Sequence, residues 1–318
     1  MPLAPGIRRS SYFKRLWAQS PSLMFTCLLM LAAFLGAVIG LLADPRTITG
    51  VAAWLKPAKF GISTAIFAGS IAWLFQYITI WPHFRRSAGW MLSIILIVEV
   101  GLIDLQAARG TTSHFNVGTS TDSIIFGIMG VAIGVLLLIN AAIVVALFRQ
   151  PFADRTWGWS LRLGMLISVL GASTGAIMVT PTAEQRQAMA AHEKPAIIGA
   201  HTVGAPDGGP GLPGVGWSID HGDLRIPHFF GLHALQILPF LGWIISRAHR
   251  GTRLLFVVAG SYFALVGMLT WQALRGQSIL RPDSATLGAF AAWVALTALA
   301  AIWYGKETYD ARAAVQSV

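Results

Sequence analysis

Charge is what this chain has least of. Asp, Glu, Lys and Arg make up 11% of its 318 residues, where a water-soluble domain carries roughly 25%. So few charges cannot cover a water-facing surface, which excludes an ordinary soluble protein. Acidic residues are the scarcer sign, 13 against 23 Lys and Arg. The excess cations lie in short clusters between apolar runs, as the positive-inside bias of membrane proteins requires, and this placement excludes nucleic acid as the partner. Cysteine occurs once, at Cys27, so neither an intrachain disulfide nor a thiolate metal cluster is available. Heptads, low-complexity tracts and the HExxH, CxxC and His-x-His spacings of metal sites are missing too.

What the chain has in abundance is apolar residues, 55% of the total. A helix needs about 20 of them in a row to cross a bilayer. Eight stretches qualify: Ser22–Ala43, Phe60–Ile80, Trp90–Ala107, Asp122–Phe148, Trp157–Val179, Phe229–Ile245, Leu254–Leu274 and Thr286–Tyr304. The sixth is short and holds Pro239, which predicts a kink or a deeper start. The chain therefore reads as an all-α polytopic membrane protein of the cell inner membrane, with the lipid bilayer as its first partner.

Residues 1–21 form a basic N-terminus with Arg8, Arg9, Lys14 and Arg15. The uncharged run that follows exceeds the usual signal-peptide core of roughly 7–15 residues, and Leu41 would occupy the −3 site of a cut after Ala43. A retained signal anchor is the reading. Placing both termini in the cytoplasm puts Arg85, Arg86, Arg149, Arg155, Arg247, Arg253, Lys306 and Arg312 on the same inner side, the last two in a tail of residues 305–318. The outer side is near neutral. It holds the one long connection, residues 180–228, whose stretch Gly204–Gly214 has too many Gly and Pro residues for a regular element. Such a connection reads as a functional lid or a disordered segment.

One phrase occurs twice. Gly101-Leu-Ile-Asp-Leu-Gln-Ala-Ala-Arg-Gly110 returns as Gly267-Met-Leu-Thr-Trp-Gln-Ala-Leu-Arg-Gly276, each time closing a span. Gly36–Gly40 corresponds to Gly171–Gly175, Lys56–Phe60 to Arg225–Phe229, and Asp122-Ser123 to Asp283-Ser284. These matches predict two tandem four-helix units, residues 22–148 and 149–304. An even number of spans per unit makes the repeat parallel, with its axis along the membrane normal.

The shared cations Lys56, Lys59, Arg109, Arg225 and Arg275 fall at outer span ends, accompanied by Gln106 and Gln272. Arginine forks suit carboxylate or phosphate, so the functional reading is an anion site for a lipid phosphate, a substrate carboxylate or haem propionates. The ordinary reading is that long cations snorkel to headgroups and that an Arg-Gly pair ends a helix.

The unshared residues point elsewhere. Glu99 lies inside span three, where its counterpart is Leu265. A carboxylate in hydrocarbon is costly and a functional candidate by default. Helical geometry sets Gln106 about 20° from it and Asp104 about 140° away. His233 lies inside span six with Gln236 on its face, and Thr64 holds its place in the first unit. His228 and Asp223 precede it. His114 in the third-to-fourth connection, with His228 and His233, would supply metal or haem ligands from two segments. His228 and His233, five residues apart on a helix, cannot share an ion without an irregular turn.

The favoured reading is a membrane-embedded enzyme, an oxidoreductase among the options. Its outward-facing site would use Glu99, His228 and His233 for catalysis and take a hydrophobic, anionic or haem-like ligand. A proton- or ion-coupled transporter or channel is the alternative, and a non-catalytic assembly or sensor protein is the third. The sequence leaves open whether any cofactor, haem or metal, is bound.

Overall fold

The computed structural model describes Tyr12–Ala248 and Gly251–Gln316, with side chains as far as Tyr304. Arg8, Arg9, His249 and Arg250 lie outside the described residues, as do the side chains of Lys306 and Arg312.

In hydrocarbon every backbone N–H and C=O must find a partner within the chain, so apolar runs form helices. After the short α1 (Tyr12–Gln19) come α2 (Pro21–Ala43), α3 (Leu55–Leu74) and α4 (Pro82–Ala108). Then follow α5 (Ser120–Arg149), α6 (Arg155–Ser173), α7 (Gly175–Met178), α8 (Ala183–Ala190), α9 (Arg225–Arg247), α10 (Thr252–Leu274) and α11 (Ser284–Gln316). Among the described residues, eight helical segments are long and apolar enough to span a membrane, matching the eight expected stretches one for one. Their outward residues are those that water would reject: Leu42 is 85% exposed, Leu138 71% and Leu296 68%. Such faces are solvated by lipid chains. The chain is a multi-pass membrane protein.

Span ends differ from the sequence expectation where polar residues turn out to be helical. α4 starts at Pro82 rather than Trp90, because proline suits a first turn and Arg85 reaches back to the carbonyls of Phe75 (3.2 Å) and Ile78 (3.1 Å). α9 starts at Arg225, which brings Pro227 and His228 inside the helix. It also runs without interruption through Pro239, whose ring is buried at Gly164: a Cβ there would stand 3.0 Å from the proline Cδ. The fifth span does break, α6 ending at Ser173 and α7 beginning at Gly175.

The described residues pack as two units, one comprising residues 12–48, 52–113 and 128–139, the other 49–51, 114–127, 140–248 and 251–316. In the first, α2 and α3 are the closest pair, and α4 lies against both. Gly61 makes this possible, since a Cβ on it would stand 3.0 Å from the Phe34 backbone. Met30, Ala65 and Val100 form the core there, with Phe60 and Ile97 packed on it. In the second unit α6 and α9 are the closest pair, α10 lies against both, and α11 packs on α10. Gly171 meets Gly231 there, and Ser160 meets Gly242. Small residues let membrane helices approach to backbone contact. Ile167, Ala234, Leu238 and Ala259 fill the space between α6, α9 and α10.

Candidate functional site

The two copies of the repeated phrase fold alike. Each helix ends in a paired capping motif: Gly110 N–H donates to Ala107 and Thr111 N–H to Gln106, as Gly276 donates to Ala273 and Gln277 to Gln272. Gly110 (φ 76°) and Gly276 (φ 69°) take the left-handed conformation that this ending needs and that glycine adopts without strain. The glutamine of each copy is buried and grips the chain beyond the cap. Gln106 donates to the Thr112 carbonyl at 3.3 Å, and Gln272 to the Ser278 carbonyl at 3.0 Å. Much of what the copies share is thus a way of ending a helix.

The arginines at these ends are engaged with protein oxygens. Arg109 donates to Gln106. Arg275 pairs with Asp283, donates to Thr286 at 3.2 Å and lies 4.6 Å over the Trp271 ring. Its guanidinium, first among the causes, holds the Asp283 carboxyl well below the usual range. Arg225 is fastened to Asp223, whose side chain is fully buried, and to the Gly216 carbonyl at 2.6 Å. Lys56 lies 5.8 Å over the Phe60 ring. Asp283 caps α11 by accepting from Thr286 N–H, whereas α5 is capped by Thr119, which accepts from Asp122 N–H. The sequence match of Asp122 with Asp283 is therefore displaced by one helical turn, Asp283 corresponding to Thr119.

A further arginine cluster is invisible to sequence reasoning. Arg46 forks onto Asp44 and donates to the Ala108 carbonyl at the end of α4. Trp54 donates to the same Asp44 at 2.8 Å. These hydrogen bonds, Arg46's first, keep Asp44 ionised far below the ordinary carboxylate range.

Glu99 is buried in the first unit on the face it shares with Ile103 and Gln106, as helical periodicity requires. Neither carboxyl oxygen has a hydrogen-bond partner among the described residues, and the Lys56 charge lies within electrostatic reach. Asp104 is off that face, and its Oδ1 is likewise buried without a partner.

In the second unit, residues 180–224 carry short regular elements and fixed turns. α8 opens with a reciprocal Thr182–Gln185 cap, and Gln185 also bonds both backbone groups of Gly199. Two-residue strands pair Thr202–Val203 with Gly222–Asp223. Gly222 fits only because it lacks a side chain, since a Cβ would stand 2.1 Å from the Ala273 carbonyl. Phe115, Met178, Leu224 and Ala273 pack beneath. Here His201 Nδ1 lies 2.6 Å from Asp207, which also accepts the backbone N–H groups of His201 and Thr202. Burial pushes the Asp207 carboxyl up, but the His201 hydrogen bond and charge outweigh it and hold the group below its ordinary range. The His201 ring stacks edge-on to Phe115 at 4.8 Å.

His228 lies within electrostatic reach of His201 and meets the break between α6 and α7. Its Nδ1 is 3.4 Å from Thr174 Oγ1. His233 faces elsewhere, 3.2 Å from Gln236 and 4.3 Å from the Phe229 ring. His114 meets Phe115 edge-on at 6.2 Å. Among the described residues no group of three or more His, Cys, Asp and Glu side chains is arranged to hold a metal ion. The histidine with a carboxylate partner is thus His201, a pairing that sequence reasoning missed because Asp207 lies six residues away across an irregular turn. No protein-family model, curated protein or solved structure matches this chain.

Proposed function

We propose that this protein is a membrane-embedded enzyme whose acid–base site is built on the 180–224 segment. The observation that carries this reading is the His201–Asp207 pair. A carboxylate on Nδ1 fixes the imidazole tautomer that makes Nε2 the basic nitrogen and stabilises the imidazolium once a proton arrives. His228, on the first turn of α9, is the second proton-handling group. A substrate that is hydrophobic or amphiphilic and anionic suits a site reached from the membrane interface. Redox use of the same histidines would require haem or a metal ion, and an absorption spectrum with metal analysis of the purified protein tests that form. Lipid and small-molecule profiling of cells producing either wild-type protein or the His201→Gln variant tests the enzyme itself. A compound should accumulate with His201→Gln and with Asp207→Asn, and indistinguishable profiles would sink the proposal.

The buried, unpartnered Glu99 favours a second reading, proton-coupled transport. Proton flux in proteoliposomes that is lost in Glu99→Gln and kept in His201→Gln would select it. Under either reading we infer two parallel four-helix repeats with both termini on the inner side. The matching helix ends at Gly110 and Gly276 support the repeat, as does the packing of α4 against α2 and α3 and of α10 against α6 and α9.

A further inference from the structure

The end of the second unit away from the 180–224 segment carries a different kind of cavity. Asp154, Trp157, Trp243, Ser246 and Arg247 line a space of about 340 Å³. Its two charges are held apart. Asp154 caps α6 by accepting the Trp157 N–H at 3.0 Å, and it accepts the Ser246 hydroxyl from α9. Burial pushes its carboxyl up, but these hydrogen bonds, with one from the Thr156 backbone, prevail and keep it ionised. A carboxylate offers about four lone-pair sites, so acceptor capacity remains. The Arg247 guanidinium lies 5.3 Å over the Trp243 ring, and among the described residues no ion pair joins it to Asp154.

An apolar strip leads from this cavity along α9. Trp243 stacks on Phe240 at 6.3 Å with the planes 24° apart, and Phe240, Trp243 and Ile244 are all exposed on a membrane-spanning helix. An anion site, a cation site and a lipid-facing strip therefore meet at the depth where headgroups lie. Tryptophan belongs at that depth because its ring is apolar and its N–H polar.

We propose that this cavity binds the headgroup of a phospholipid bearing a primary amine. Arg247 takes the phosphate, Asp154 takes the ammonium, Trp157 and Trp243 form the walls, and an acyl chain runs along Phe240 and Ile244. A guanidinium suits phosphate oxygens. A carboxylate acceptor selects an ammonium that can donate N–H bonds, and so discriminates against lipids with uncharged or quaternary headgroups.

Native mass spectrometry of the full chain, titrated with phosphatidylethanolamine, phosphatidylglycerol and phosphatidylcholine of identical acyl chains, tests this. The amine lipid should bind about tenfold more tightly than either of the others, a difference of about 1.4 kcal/mol. Asp154→Asn, which keeps the helix cap, should bring the three lipids to parity. Arg247→Gln should weaken all of them. Equal wild-type affinity for the three lipids would overturn the proposal without recourse to any variant, as would an unchanged preference in Asp154→Asn. Displacement of the lipid by an equal concentration of soluble glycerophosphoethanolamine would also overturn it, by assigning the cavity to a soluble ligand.

Discussion

Gly171 and Gly231 meet backbone to backbone: a Cβ on Gly171 would stand 2.3 Å from the Gly231 Cα, and one on Gly231 would stand 2.4 Å from the Gly171 Cα. Gly36, the sequence counterpart of Gly171, has nothing within 4 Å of its Cβ position. The two glycines should therefore respond oppositely to alanine. Gly171→Ala forces α6 and α9 apart and should cost about 1–3 kcal/mol. Gly36→Ala should be neutral or stabilising by up to about 1 kcal/mol, the ordinary helix preference. Thermal unfolding of the detergent-solubilised variants provides the comparison, and equal responses would refute it.

The buried glutamines make a paired prediction. Leucine at Gln106 or Gln272 leaves the Thr112 or Ser278 carbonyl without its side-chain donor. Each substitution should cost about 1–3 kcal/mol. Gly276→Ala should add a separate strain of about 1–2 kcal/mol, because its φ of 69° lies in the left-handed region. Melting temperatures of the single variants would check all three. A Gln272→Leu protein as stable as the wild type would show that the clamp contributes nothing.

Glu99 should behave in the opposite way. Its carboxyl is buried with no hydrogen-bond partner among the described residues, so Glu99→Leu removes a desolvation cost of about 1–3 kcal/mol. The variant should melt higher than wild type while losing whatever activity depends on a proton at this position. A marked loss of stability would mean that Glu99 holds the helices together.

Acid should loosen the 180–224 segment through Asp207. Its carboxyl is held below the ordinary range, so the unfolded chain binds a proton more readily than the folded one. The stabilisation is full above the unfolded value, about 3.9, and is lost as pH falls towards the folded one. Hydrogen exchange of the His201 and Thr202 amides, which donate to Asp207, should accelerate below about pH 4 relative to intrinsic rates. In Asp207→Asn that acid step should vanish.

The parts of the candidate site legible in the sequence lie on regular helices. Glu99, Gln106 and Gln272 are buried where a period of 3.6 residues puts them, because a helix converts spacing into direction. His228 was identifiable as a residue, but its place inside α9 was not, since Pro227 reads as a helix breaker until the first-turn exception applies. The His201–Asp207 pair was hidden for a different reason. Irregular backbone has no period, and which side chains meet across it depends on turns such as those at Gly204 and Gly208, both at positive φ.

Sequence alone determined that this is a multi-pass membrane protein and where its long apolar helices fall, because hydrocarbon solvates only apolar side chains and leaves the backbone no partner but itself. It also located the two helix ends at Gly110 and Gly276, since a left-handed cap needs glycine. Tertiary structure decided what the remaining polar residues do. It engaged Arg225 and Arg275 with Asp223 and Asp283, left the Glu99 oxygens without hydrogen-bond partners among the described residues, and set His201 against Asp207. Charge pairing acts across space within a few ångströms, and only the folded chain sets those distances.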